Sequence, residues 1–205
     1  MAWKPTVLIL SCPEATVMMG QTFMFYQIIS LLLEVATAVL AGACLLRLYM
    51  QYLRIAMSAR SGNPLGRFVF ALTDWLVLPL RRMLPALGRL DTSSLVAAYF
   101  FELVQFGLLW LLSGANGNLY VVPIQAVFGL LHLIISGLTG LVIVYAVLSW
   151  LPTRSVLSDV IERLCAPLLT PIRRLLPLVG GIDLSPLVLL VLLQIVSIML
   201  VGVTH

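Results

Sequence analysis

Two pairs of adjacent arginines, Arg81 with Arg82 and Arg173 with Arg174, are the side chains in this chain best suited to bind an anion. A guanidinium presents a rigid fork of N–H donors that matches a phosphate or a carboxylate. Beside a membrane, each arginine also attracts anionic lipid by about 1 kcal/mol. We therefore expect these four arginines to bind lipid headgroups or a partner protein. The alternative is that they only set the orientation of the chain in a membrane.

Each arginine pair lies inside a longer motif that occurs twice, without gaps, at an offset of 92 residues. The first copy reads Pro79-Leu-Arg-Arg-Met-Leu-Pro-Ala-Leu-Gly-Arg-Leu-Asp-Thr-Ser-Ser94. The second copy reads Pro171-Ile-Arg-Arg-Leu-Leu-Pro-Leu-Val-Gly-Gly-Ile-Asp-Leu-Ser-Pro186. A fixed offset of this kind indicates an internal duplication. The motif positions to which we assign a structural role are Pro79, Pro85, Gly88, Asp91, Ser93, Pro171, Pro177, Gly180, Gly181, Asp183, Ser185 and Pro186.

The motif residues predict a helix break followed by a new helix. The two prolines of each copy are six residues apart, and we expect them to prevent a long helix from running through the motif; Pro79 in particular should end the apolar run before it. Ser185 followed by Pro186 is typical of a helix N-terminus, with the serine as N-cap, and we expect Ser93 to do the same in the first copy.

Two aspartates in the motif admit two interpretations. Asp91 and Asp183 lie where the positive end of a helix dipole favours an anion, and helix capping is the interpretation that we favour. They could also pair with the arginines, either within their own loop or across the axis that relates the two copies.

Four polar side chains interrupt the apolar stretches: Glu34, Glu102, His132 and Gln194. A carboxylate inside a membrane is costly, so it is a functional-site hypothesis by default, here for ion transport or proton relay. Hydrogen bonding between helices is the alternative. Glu102 corresponds to Gln194 through the same offset of 92. His132 has no second ligand at a useful spacing, so we expect neither a haem nor a metal site.

The composition indicates an integral membrane protein. Hydrophobic residues make up 61% of the chain and charged residues 10%, and the mean hydropathy is +1.11. The net charge of +4 is read here as a topology signal rather than as a sign of nucleic-acid binding. Zincin, Walker and nucleophile-elbow motifs are absent from the sequence, so we expect no enzyme, no cofactor and no metal.

The apolar stretches predict an all-α membrane protein with four transmembrane helices, because a hydrocarbon core of about 30 Å needs about 20 residues. These helices are expected in two parallel tandem repeats, each with a short interfacial helix and a Pro-x-Arg-Arg-x-x-Pro loop on the cytoplasmic side. The predicted spans are residues 22–46, 95–112, 124–151 and 184–203. The predicted segments are a leader at 1–21, a first repeat at 22–112, a linker at 113–123 and a second repeat at 124–205. We expect the leader to be disordered, interfacial or upstream of the true start.

The arginines also predict the orientation. They are concentrated in residues 47–89 and 154–174, whereas the 113–123 loop has none. The positive-inside rule then places both motif loops in the cytoplasm and both chain termini in the periplasm.

The two motifs, together with the upstream Arg47-Leu-Tyr-Met-Gln-Tyr and Ser61-Gly-Asn-Pro-Leu, resemble the YggT family, also called YlmG. The resemblance covers residues 22–203, and the first motif departs from the pattern at Arg89 and Ser94. It implies a small integral protein of the bacterial inner membrane, with links to osmotic-stress tolerance, cell division or cytochrome maturation.

Two functions remain open at this point. The first is a non-enzymatic scaffold or assembly factor whose cytoplasmic arginines bind anionic lipid or a membrane protein partner. The second is a small ion channel or transporter that uses Glu34 and Glu102. Because four spans form a narrow bundle, the second function requires a homo-oligomer.

Overall fold

The computed structural model describes residues 13–55, 64–83, 91–115, 118–150, 155–175 and 183–204, and all regular structure in these residues is helical. The helices are α1 (Pro13–Tyr52), α2 (Pro64–Met83), α3 (Thr92–Leu112), α4 (Val121–Trp150), α5 (Val156–Leu175) and α6 (Ser185–Thr204).

Four of the described helices are long and apolar enough to cross a membrane, as the sequence predicts. These stretches are Met24–Tyr52, Thr92–Leu112, Val121–Trp150 and Ser185–Gly202. The first helix extends beyond the predicted span at both ends, because α1 begins at Pro13 and continues past Arg47. Residues 13–21 of the predicted leader therefore belong to a helix, and residues 1–12 lie outside the described part of the chain.

The shorter helices α2 and α5 are amphipathic. On α2 the buried residues Val69, Thr73 and Val77 recur every four positions. On α5 the buried residues Ile161, Cys165 and Leu169 show the same spacing. The opposite faces carry charged side chains, and α2 also exposes large apolar residues such as Trp75. This combination suits helices that lie along a membrane interface.

The prediction that the first proline of each motif breaks the helix is wrong. Helix α2 continues through Pro79 to Met83, and α5 continues through Pro167 and Pro171 to Leu175. These prolines are exposed, so the carbonyl that loses its N–H partner lies on a face open to the surroundings. The second proline of each motif, Pro85 or Pro177, lies outside the described part of the chain.

The helices pack as α1 on α3 and as α4 on α6, with α3 also contacting α4. One buried cluster joins α1, α2 and α3 through small side chains that let the helices approach closely: Ala41, Cys44, Val77, Ala97 and Ala98. A second cluster joins α4, α5 and α6: Val142, Ile161, Cys165, Leu169 and Leu189. Met50, Ile55, Val160 and Leu164 connect the first part of the chain to α5.

Leu164 lies in the cluster that joins α1 to α5, and its side chain is fully buried. We expect Leu164→Ala to lower the free energy of unfolding by about 2–5 kcal/mol, because the truncation leaves a cavity. Thermal denaturation of the purified protein in detergent measures this as a fall in Tm. The matched control is Leu192→Ala on α6, where 48% of the side chain is exposed and no cavity can form. Equal falls in Tm for both variants would contradict this role of the cluster.

Candidate functional site

Charged and polar side chains from several helices meet at one end of the bundle, where α1 and α4 end and where α3 and α6 begin. We call this the arginine-rich end and define it by Arg47, Arg81, Arg82, Arg173 and Arg174. The C-terminal turns of α2 and α5 each contribute one arginine pair to it.

In the first motif, Arg81 forms an ion pair with Asp91. Nη2 of Arg81 lies 2.8 Å from Oδ2 of Asp91, and only 2% of the Asp91 side chain is exposed. The hydroxyl of Ser94 donates a second hydrogen bond to the same oxygen at 3.0 Å. A buried carboxylate is stable only when its charge is compensated, so Arg81 is committed to Asp91.

In the second motif, Arg173 pairs with Asp183 in a more open setting. Nε of Arg173 donates to Oδ2 of Asp183 at 2.7 Å, and 30% of the Asp183 side chain is exposed. Nη2 of Arg173 donates to the hydroxyl of Tyr145 at 2.6 Å, which brings α4 into the contact. The other carboxylate oxygen of Asp183 accepts the backbone N–H of Ser185 at 2.9 Å.

Both aspartates pair with an arginine of their own motif, ten residues away, so they do not only cap helices. Asp183 does both, because it also accepts the N–H of Ser185, the first residue of α6. Asp91 is also the N-cap residue of α3, but its side chain makes no capping hydrogen bond.

The two serines are not N-caps as predicted. Ser185 is the first residue of α6, and Ser93 is buried in the first turn of α3. The predicted helix starts are therefore displaced by one or two residues. The motif positions Pro85, Gly88, Pro177, Gly180 and Gly181 lie outside the described residues.

The second arginine of each pair is placed differently from the first. All four arginines are exposed, but within the described part of the chain Arg82 and Arg174 form no ion pair. Adjacent helical residues point about 100° apart, so one arginine of each pair can reach the aspartate while the other points away. Of the four predicted binding residues, these two are available to an external anion.

Arg47 is a structural residue that sequence reasoning took only for the end of a span. It is 2% exposed, and its Nη1 donates to Thr73 at 2.8 Å and to Asp74 at 2.6 Å. Its guanidinium also lies 4.8 Å from the ring centre of Phe70. The residue therefore ties α1 to α2. The available signal was a lone cation within an apolar run, followed by an acid at Asp74 in the next helix.

The polar residues within the spans are not equivalent. Glu102 is buried at 5% exposure, whereas Glu34, His132 and Gln194 are exposed. The carboxylate of Glu102 lies against Gly129 of α4, where an added Cβ would come within 2.5 Å of Oε2. Glu34 lies within electrostatic range of Glu102. The structure thus encloses one of the two acids that sequence analysis proposed for ion transport.

In the described part of the chain, no three His, Cys, Asp or Glu side chains are grouped so as to hold a metal ion. Burial raises the pKa of the Cys165 thiol to about 11, and the charge of Arg173 offsets this only in part. This thiol is therefore protonated at neutral pH and packs as a small apolar side chain.

The Arg173–Asp183 pair makes stability depend on pH. Burial alone would raise the pKa of Asp183, but hydrogen bonds from Ser185 and Arg173, together with the Arg173 charge, outweigh it and lower the pKa. A lowered folded-state pKa adds stability above the unfolded pKa of about 3.9, and this stability is lost as pH falls through the folded value.

We expect Asp183→Asn to lower Tm at pH 7 and to differ progressively less from the wild type below about pH 4. Thermal scans across pH measure this, and a pH-independent difference would contradict the ion pair. Asp159→Asn, which removes an exposed acid of α5, is the control.

A family model described as CCB3/YggT matches residues 24–112 and 124–204. "Uncharacterized protein YggT" of Escherichia coli K12 is 36% identical over 176 residues, which are 83% of this chain and 85% of that protein. "Uncharacterized protein in proC 3'region" of Vibrio alginolyticus is 34% identical over 73% of this chain and 80% of its own length. An uncharacterized protein of Haemophilus influenzae is 34% identical over 73% of this chain and 78% of its own. No solved structure gives a significant match. The chain belongs to the CCB3/YggT family.

Proposed function

We propose that this protein is a non-enzymatic membrane scaffold or assembly factor that binds anionic groups through Arg82 and Arg174. The observation that carries this proposal is that only one arginine of each pair forms an ion pair within the described residues. All four arginines are exposed, but Arg81 and Arg173 are bound to Asp91 and Asp183, whereas Arg82 and Arg174 form no ion pair within the described residues.

The proposal places the arginine-rich end at the cytoplasmic face of the bacterial inner membrane and both chain termini in the periplasm. The support is the positive-inside rule together with the arginine-free turn between α3 and α4. It also treats the chain as two parallel tandem repeats. The matching ten-residue bridges Arg81–Asp91 and Arg173–Asp183, separated by the offset of 92, support that view.

The anion in this proposal is a lipid phosphate or a carboxylate on a membrane protein partner, since a guanidinium binds both in the same way. Because Arg82 lies on α2 and Arg174 on α5, the two side chains can bind one anionic surface at two points and so fix its orientation relative to the protein. The family resemblance connects such a scaffold with osmotic-stress tolerance, cell division or cytochrome maturation.

We expect the double variant Arg82→Gln/Arg174→Gln to bind phosphatidylglycerol about 30-fold more weakly, since each arginine contributes about 1 kcal/mol. Native mass spectrometry of the protein titrated with phosphatidylglycerol in mild detergent measures this. Arg82→Lys/Arg174→Lys is the matched control, because it keeps both positive charges at the same positions and should retain the electrostatic part of the affinity. Affinity capture of the wild type and of the variant from membranes, with the co-purifying lipids and proteins identified by mass spectrometry, separates the two kinds of anion. Unchanged binding of lipids and proteins, or loss of membrane insertion, would make these arginines topology signals only.

A second candidate function is ion conduction or transport by an oligomer, and the burial of Glu102 favours it. The carboxylate is enclosed between α3 and α4, next to Gly129. Gly129 and His132 both line a cavity of about 400 Å³ on that side of α4. Glu102 itself does not line this cavity, but its carboxylate contacts Gly129, which does. An enclosed acid next to the wall of a cavity within a span fits an ion pathway.

In this second function Glu102→Gln would abolish flux, because the amide keeps the shape of the side chain but not its charge. The measurement is cation flux from proteoliposomes that contain the purified protein. Glu162→Gln is the control, because Glu162 is an exposed acid on α5, outside the spans. Absence of flux from correctly folded wild-type protein would rule out conduction and leave Glu102 as a packing residue.

A further inference from the structure

A groove separates α1 from α4, and neither the proposed arginine site nor Glu102 accounts for it. Its volume is about 710 Å³. Ala38, Gly42 and Tyr49 line it from α1, and Gly137, Gly140 and Val144 line it from α4. Most of the wall is apolar, and its few polar side chains are hydroxyls rather than charges.

The length of the groove corresponds to one leaflet of a bilayer. Along α1 the lining extends from Ala38 to Tyr49, and along α4 it extends from Leu133 to Val144. Eleven steps of 1.5 Å give about 16 Å in both cases. A hydrocarbon core is about 30 Å thick, so the groove crosses about half of it. The half that it crosses is the one adjoining the arginine-rich end, because Tyr49 lies two residues beyond Arg47.

The short helices border the groove at the arginine-rich end. Leu65 of α2 and Ile161 and Leu164 of α5 contribute to its wall. Tyr49 is fixed there by a hydrogen bond from its hydroxyl to the carbonyl of Leu164 at 2.8 Å. A partner helix that spans the whole membrane would be obstructed by α2 and α5 at this end of the groove. A flexible acyl chain that begins at the interface would not be obstructed.

The glycines leave room that the protein itself does not fill. A Cβ added at Gly42, Gly137 or Gly140 would meet no atom within 4 Å. In lipid, helices associate through close packing rather than through the hydrophobic effect, so an unfilled gap between two helices forfeits contact energy. A ligand that fills the gap would restore these contacts.

The charge around the groove suits a phosphate at the interface. Exposed arginines follow or flank the lining segments on three of the five bordering helices: Arg54 after α1, Arg67 on α2 and Arg163 on α5. Asp159 and Glu162 are the exposed acids on α5, so the balance of these side chains is positive. Arginines near an interface attract phosphate headgroups.

We propose that the groove between α1 and α4 holds an acyl chain of a phospholipid from the leaflet at the arginine-rich end, as a retained lipid that completes the contact between the two helices. This lipid is additional to any headgroup bound by Arg82 and Arg174, and the groove does not depend on those side chains.

The test is photo-crosslinking. The protein is first purified in mild detergent, which removes loosely bound lipid, and is then irradiated. p-Benzoylphenylalanine replaces Ser136, an exposed groove residue, and in a separate sample it replaces Leu192, an exposed residue of α6 outside the groove. We expect a phospholipid adduct at position 136 and none at position 192. The absence of an adduct at 136, or equal adducts at both positions, overturns the proposal. A covalent dimer at 136 also overturns it, because a second copy of the chain would then occupy the groove.

Filling the groove gives an independent measurement. Gly137→Leu/Gly140→Leu places bulk in open space, so the protein should fold and lose the retained phospholipid on native mass spectrometry. Gly107→Leu/Gly202→Leu is the matched control, since these glycines are also free of neighbours within 4 Å but do not line the groove. Addition of phospholipid should raise the Tm of the wild type and of this control, but not that of the filled variant, because a ligand stabilises the state that it binds. Equal lipid retention in all three proteins contradicts the proposal.

A further variant distinguishes a lipid in the groove from a lipid bound by the arginine pairs. Arg82→Gln/Arg174→Gln should leave the adduct at position 136 intact, because these residues do not line the groove. Loss of the adduct in that variant would instead assign the lipid to the arginine pairs and overturn a separate groove site.

Discussion

The bridges between arginine and aspartate hold the arginine-rich end together. Each motif connects a short amphipathic helix to a long apolar helix. Arg81 lies in the last turn of α2 and Asp91 is the N-cap residue of α3. Arg173 lies in the last turn of α5, and Asp183 lies two residues before the start of α6. An ion pair across each junction fixes where the next span starts. The hydrophobic effect cannot do this, because all directions within a lipid tail region are equally apolar.

The two bridges share a spacing but differ in environment. Asp91 is 2% exposed and Asp183 is 30% exposed, and Arg173 has Tyr145 as an additional partner. A buried ion pair is costly to break, because the remaining charge has no solvent, whereas an open pair contributes less and is screened by salt. Removing one partner of the Arg81–Asp91 pair should therefore cost more free energy of unfolding than removing one partner of the Arg173–Asp183 pair, because Asp91 would remain buried without its compensating charge.

The sequence predicts the long helices because about twenty consecutive apolar residues have few alternatives in a membrane protein. It does not predict the course of the motif, because the effect of Pro79 depends on whether the carbonyl that it orphans is enclosed, which is a tertiary property. The role of Arg47 was missed for a similar reason: its partners Thr73 and Asp74 are distant in the chain. The offset of 92 makes Glu102 and Gln194 equivalent positions, yet Glu102 is buried and Gln194 is exposed. The sequence alone does not predict this difference.

The contact between Glu102 and Gly129 constrains how this protein can vary. A Cβ at position 129 would come within 2.5 Å of Oε2 of Glu102 and within 2.6 Å of the ring of Phe106, so position 129 gains volume only if both side chains move or shorten. Positions 102, 106 and 129 should therefore influence one another among related chains. A pattern of this kind would set the distance between α3 and α4, and with it the relative placement of the two parts of the chain.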